Sequence, residues 1–194
     1  MYMNKKGSYS IKAIILMFIT LLVITSYIDI MAKSYTLNEI QNIMDTTGLS
    51  VLQTLVDDKR LKEEMLAINS ENYIDYSTGS QLLGNYEGQL YSRYKNNIKE
   101  LISTNNNISY FEILYFDAFF ERSSWGLSST KPQIGLDVVA KVRLRVSPYF
   151  NTNELLEKTF YSSKNNSNFK IIYNGQKNGQ TEIIIRSVVR LVYR

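Results

Sequence analysis

Residues 13–28 read AIILMFITLLVITSYI, a stretch without a single charge. Adding Ile30, Met31 and Ala32 around Asp29 extends the apolar run to about 20 residues, roughly what a helix needs to cross the hydrocarbon core of a bilayer. Asp29 is then expected near the outer interface, where a carboxylate reaches water or a neighbour. Lys5 and Lys6 precede the run, and the positive-inside rule assigns them to the cytoplasmic side, which puts the rest of the chain on the other. A charged start followed by an apolar run also describes a cleaved signal peptide. Here no small-x-small site follows it, Thr25-Ser26-Tyr27-Ile28-Asp29 being a poor substitute, and the helical pattern continues straight through. The stretch reads as an anchor.

Downstream of it, Leu37, Ile40, Met44, Gly48, Val51 and Leu55 recur at three- and four-residue spacing, one stripe of an amphipathic helix. Glu39, Asn42, Asp45, Thr46 and Gln53 fill the other faces. With no proline between Ile11 and Ser70, the spacing predicts one helix running from the membrane to about Ala67, with a candidate break at Asp57-Asp58. Gly48 costs such a helix about 1 kcal/mol against alanine; it either permits close packing or is merely tolerated. A second helix is predicted from Leu83, Tyr86, Leu90, Tyr94, Ile98 and Leu101, ending at Asn105-Asn106-Asn107.

Beyond the asparagines the period changes. Residues 108–121, ISYFEILYFDAFFE, have the aromatic and β-branched content of a buried strand. Val138, Ala140, Val142, Leu144 and Val146 alternate with Lys141, Arg143 and Arg145, a half-buried strand that Pro148 ends. Leu155 to Ser162 and Phe169 to Tyr173 read as shorter strands. Thr181 to Tyr193 reads as a long final strand, with the turn before it running from Asn174-Gly175 through Gly179. Helices first and strands afterwards predict an α+β fold with an antiparallel sheet of about four to five strands. The expected organisation is a cytoplasmic tail over 1–12, a transmembrane helix over 13–32, a helical membrane-proximal region over 33–104 and a β-rich region over 105–194, the last two packed as one domain.

Composition narrows the functional classes. The 194 residues suit one domain plus an anchor. The formal charge is +4, of which the first 32 residues hold +2 (three lysines less one aspartate), leaving +2 for the rest. That is too little for a dedicated nucleic-acid binder. Cysteine and histidine are both absent, which removes disulfides, thiol nucleophiles, zinc-thiolate sites and the commonest general base. No spacing matches an EF-hand, P-loop or zinc site, and no carboxylate pair stands out for catalysis, so an enzyme, a metal site and a cofactor are not expected.

The N-terminus carries a resemblance. Lys5-Lys6-Gly7-Ser8-Tyr9-Ser10-Ile11-Lys12 puts a basic residue and a glycine just before the apolar helix, similar to a prepilin peptidase site with cleavage after Gly7. Tyr27-Ile28-Asp29-Ile30, and then Leu37 through Asp45, resemble the minor pseudopilins of Tad-type pili, whose anchor helix ends near an Asp and continues as a membrane-proximal helix before a β-rich domain. The likeness covers about the first 55 residues. It implies a structural subunit processed at Lys6, Gly7 and Ser8, with Lys12, Asp29 and Gly48 on the helical assembly surface. Its implied partners are membrane lipid, other pilin or secretion-apparatus subunits, and prepilin peptidase. One position departs from the family. A Glu is usual at the fifth place after the cleavage site, where it pairs with a neighbour's N-terminal amine; Lys12 stands there and repels that amine. Two other readings stay open: an inner-membrane scaffold of a conjugation or type IV secretion machine, and a membrane-tethered binding domain.

A last cluster is basic. Lys141, Arg143 and Arg145 share one strand face, and Arg186, Arg190 and Arg194 recur every four residues in the final strand. If the two strands are neighbours, six cations share a face that suits phosphate-rich partners. The blander reading, a solvated face balanced by Glu112, Asp137 and Glu182, is favoured. Trp125, in a Ser-Ser-Trp-Gly stretch, is a candidate partner contact or a cap over the sheet.

Overall fold

A computed structural model describes residues 5–56, 76–122, 132–145 and 154–192. Helix α1 spans Lys5–Val56 without interruption, 52 residues or roughly 78 Å. Its two halves live in different surroundings. From Tyr9 to Ala32 nearly every side chain is exposed, Ile14, Leu16, Met17 and Phe18 among them. From Lys33 onward one stripe is buried: Leu37, Ile40, Met44, Val51, Leu52 and Leu55. A helix apolar all round is a membrane or core helix, and one apolar on a stripe packs against a domain. The first half contains an 18-residue window of mean hydropathy 2.3, long and apolar enough to cross a membrane. Inside it Thr20, Thr25 and Ser26 donate their hydroxyls to the carbonyls of Leu16, Leu21 and Leu22, so these polar groups are satisfied within the helix.

Among the described residues the remaining elements are α2 (Tyr76–Ser103), β1 (Ile108–Arg122), β2 (Pro132–Leu144), α3 (Glu154–Ser162), β3 (Phe169–Lys177) and β4 (Gln180–Val192). The four strands form one antiparallel sheet in the order β1-β2-β4-β3. This is the α+β fold that the switch from helical to strand period predicts. Alternation sorts the sheet into two faces. Ile134, Leu136, Val138, Ala140, Val142 and Leu144 of β2 point inward with Ile183, Ile185 and Val189 of β4, and α2 covers them over β1 while α1 lies over β4. Burying each large side chain of α1's stripe contributes roughly 1.5–3 kcal/mol, an upper figure because the unfolded chain already hides some surface.

Two expectations are corrected. Leu155 to Ser162 is not a strand but the helix α3. Leu156 and Phe160 stand four apart, and Glu157 and Lys158 between them are good helix formers, which outweighs the β-propensity of Thr159-Phe160-Tyr161. Tyr161 of this helix is buried, its ring stacked on Tyr173 of β3 at 6.0 Å. The turn before β4 is also shorter than expected. Only Asn178 and Gly179 make it, both with positive φ (53° and 73°), the type I′ geometry whose twist suits a two-residue hairpin. Asn174 and Gly175 instead form a bulge in β3, two residues opposite Glu182 alone, with Gly175 at φ 96°. The continuation of the first helix to Ala67, the break at Asp57-Asp58, Trp125, Pro148 and Arg194 lie outside the described residues.

Gly48 proves to be a packing glycine. A Cβ built there would sit 3.1 Å from a methyl of Val189, so α1 approaches β4 so closely that even a methyl group would have to displace Val189 by a few tenths of an ångström. For Gly48→Ala the helix gain of about 1 kcal/mol and the crowding roughly cancel. Gly48→Leu is expected to push α1 off the sheet and cost about 2–3 kcal/mol in a denaturant melt. A Leu variant as stable as the parent would mean that α1 is not seated on β4.

Candidate functional site

The feature that sets this molecule apart is the bare half of α1 and the place where it meets the domain. Lys6, Gly7 and Ser8 lie in the first turns of α1, in helical backbone. Lys12 follows on the bare half and is exposed. Asp29 and Lys33 lie one turn apart and bond at 3.0 Å, with side chains only 13% and 7% exposed. The acid stands N-terminal to the base, the better order for such a pair on a helix. This ion pair marks the exit of α1 from the domain. Just above it Lys164, between α3 and β3, donates to the hydroxyl of Ser34 at 2.9 Å. Higher still, Ser187 of β4 donates to Asp45 at 2.7 Å. The two polar contacts that reach α1 from the rest of the domain, Lys164–Ser34 and Ser187–Asp45, therefore fix with the Gly48–Val189 approach the angle at which the apolar helix leaves.

Of the three residues assigned to an assembly surface, Lys12 lies on the free length of the helix. Asp29 is turned to Lys33, and Gly48 is buried against its own sheet. Lys33, Ser34, Lys164 and Ser187 escape the sequence reading, and Asp45 is placed there only on the outer faces of the helix. Only Asp29–Lys33 had a legible signal, the four-residue spacing of opposite charges. Beside the exit a cleft of about 650 Å³ lies between Tyr27, Met31 and Tyr35 of α1 and Asn107 and Arg145 at the end of the sheet. That end of the sheet is level with the point where the bare helix begins.

The outer face of the sheet carries the basic cluster. β2 and β4 are neighbours, and Lys141, Arg143, Arg186 and Arg190 do share the uncovered face. Each is already engaged. Lys141 lies 3.6 Å from Glu112. Arg143 bonds Glu182 at 2.7 Å and stacks over the Tyr110 ring at 4.2 Å. Asn174, in the β3 bulge, donates to the other oxygen of Glu182 at 2.7 Å. Arg186 grips Asp137 through both Nε and Nη2, a bidentate pair. Arg190 donates to Asn168 at 2.8 Å and covers the Phe119 ring. The hydrogen bond from Arg143 holds the Glu182 carboxyl below the ordinary glutamate value, outweighing the opposing effect of its burial, and the bonds to Asp137 raise the Arg186 guanidinium further. The face is a ladder of compensated charges, with Arg145 beyond its end. Among the described residues no group of three or more acids is placed to hold a metal ion.

Comparison with family models, with curated proteins and with solved structures finds no match to this chain. Fold and site together define a class: an α+β domain built around the second half of a helix whose first half is bare, apolar and of membrane-spanning length.

Proposed function

We propose that the chain is a membrane-anchored structural subunit of pseudopilin type, which assembles through its N-terminal helix into a Tad-type pilus or a related secretion or conjugation apparatus. Lys5 and Lys6 stay in the cytoplasm and the domain lies outside it. The observation that carries the reading is the continuity of α1. One rigid rod joins an uncovered apolar surface to the core of the domain, so a subunit that packs its bare helix against others also fixes where its domain sits. Before assembly the same surface is stored in lipid. Assembly exchanges lipid contacts for protein contacts, so its driving force is packing and electrostatics rather than hydrophobic burial. Lys12 cannot pair with a neighbour's amine as a glutamate would, so register in the assembly must come from elsewhere on the chain.

The test is the N-terminal sequence and intact mass of the protein from native membranes, with and without prepilin peptidase. The expected mature chain begins at Ser8 when the peptidase is present. A chain that keeps residues 1–7 in its presence would sink the processed-subunit reading and favour a membrane scaffold. A cut between about Ser26 and Ser34 would mean a secreted domain.

A further inference from the structure

The two edges of the sheet are β1 and β3, and among the described residues nothing pairs with the outer edge of β1. Along that edge runs a groove of about 670 Å³ between β1 and the last three turns of α2. It touches Tyr110 and Glu112 from one face of β1 and Phe111 and Ile113 from the other, so it follows the free backbone edge and not either face of the sheet. Its floor is apolar, with Ile98 and Ile102 of α2 opposite those strand residues. Bulges at Ser109 and Leu114 bracket residues 110–113, leaving one short, regular length of unpaired N–H and C=O groups facing the groove.

Charge identifies what fits. Lys95, Lys99 and Arg145 line the groove, and none has a carboxylate within ion-pairing distance among the described residues. This contrasts with the sheet face, where Lys141, Arg143 and Arg186 are all paired. Glu112, the one carboxylate in the lining, is opposed by Lys141 at 3.6 Å and accepts from the Tyr110 hydroxyl at 2.9 Å, so the three cations outnumber it. At the foot of the groove the buried Asn105 uses its Oδ1 to accept from the Asn107 N–H, and its Nδ2 has no hydrogen-bond partner among the described residues. Small anions explain the cations but neither the apolar floor nor the open strand edge. We infer that this groove binds an extended, acidic segment of a partner protein, which adds a strand to β1. Its alternate apolar side chains enter the floor, and its carboxylates lie against Lys95, Lys99 and Arg145. Main-chain pairing supplies affinity in such strand addition, and the side-chain pockets supply selection. The inference does not depend on processing at Gly7.

The probe is a labelled nonapeptide alternating valine with glutamate, titrated by fluorescence anisotropy against the full chain in neutral phosphatidylcholine nanodiscs. Three controls accompany it: a peptide with lysine for glutamate, a glutamate peptide N-methylated on alternate amides, and vesicles of phosphatidylglycerol as competitor. Binding of the glutamate peptide alone is expected, with protection of the 110–113 amides from hydrogen exchange. The Lys95→Glu/Lys99→Glu variant should weaken it tenfold or more while melting like the parent. If that variant melts early, Lys95→Gln/Lys99→Gln takes its place, with a several-fold loss expected. Absence of binding, or equal binding of the lysine peptide, overturns the inference. Equal binding of the N-methylated peptide would make the contact purely electrostatic and overturn strand addition. Displacement by the vesicles at matched charge would make the groove a lipid headgroup site, and the proposal would fail.

Discussion

Arginine placed at both Phe18 and Leu22 is expected to release the chain from membranes and leave its domain folded. The two positions lie one turn apart in the middle of the bare half of α1, 65% and 39% exposed. Each arginine at the centre of a membrane helix costs about 2.5–3.5 kcal/mol on insertion scales. The pair therefore costs about 5–7 kcal/mol, roughly four orders of magnitude in partitioning. Snorkelling reduces the penalty for a charge near either end, which is why the central turns are chosen. The measurement is resistance to alkaline carbonate extraction, paired with the melting temperature of the solubilised chain. The parent should stay with the pellet and the variant move to the supernatant, while the two melt within a degree or two of each other. A double variant that remains in the pellet would mean that this helix is not the anchor. A variant that loses its melting transition would mean that the bare half supports the fold after all.

That separation of roles was readable in the sequence because it rests on local pattern. An uncharged run followed by the stripe Leu37-Ile40-Met44-Val51-Leu55 can only be one helix in two environments, and all five stripe residues are buried. The inward alternation of β2 was equally plain, from Val138 to Leu144. The misreadings occur where pattern is short. Nine residues of α3 offer little more than two helical turns, and the aromatics at its end pull toward a strand. The β3 bulge puts a glycine where the pattern predicts a turn, although Asn178-Gly179 three residues on is the better signal. The site was less legible than the fold because its parts lie far apart in the chain. Ser34 and Lys164 are 130 positions apart, and Asp45 and Ser187 are 142. No spacing rule connects such pairs, since only the strand order brings them together. The same order decides the fate of the cations. Lys141, Arg143 and Arg186 looked like a patch in sequence and are neutralised across strands. Arg145, read as part of that patch, and Lys95 and Lys99, which no pattern singles out, have no carboxylate within ion-pairing distance among the described residues and lie beside an open edge.

Tyr94 is where a single atom is expected to change the sign of a mutation. Its side chain is 1% exposed on α2, facing α1 and packed against Phe116 of β1 with ring centroids 5.6 Å apart. Tyr94→Ala removes that ring from the junction of three elements and should cost about 3–5 kcal/mol. That is a large part of the 5–15 kcal/mol that holds a typical domain together, so the variant should be partly unfolded at 37 °C. Tyr94→Phe keeps the ring and deletes a buried hydroxyl that has no hydrogen-bond partner among the described residues. An unmet donor costs about 1–3 kcal/mol, so the Phe variant should equal or exceed the parent, with a melting temperature up to several degrees higher. The two variants also differ in pH dependence. Burial first, and the nearby Asp45 carboxylate second, raise the Tyr94 hydroxyl well above the ordinary 10.0. Because the folded value lies above the unfolded one, the full contribution is present below pH 10 and is lost as pH rises beyond it. Only the unfolded chain then releases the proton, and stability falls by about 1.4 kcal/mol per pH unit for this one group. Denaturant melts of parent and Tyr94→Phe between pH 8 and 11 check both points. The curves should diverge above pH 10, with Phe the more stable. A Phe variant that is weaker by 1 kcal/mol or more at neutral pH would show that the hydroxyl is bonded in solution, and the α1–α2 interface would have to be redrawn around it.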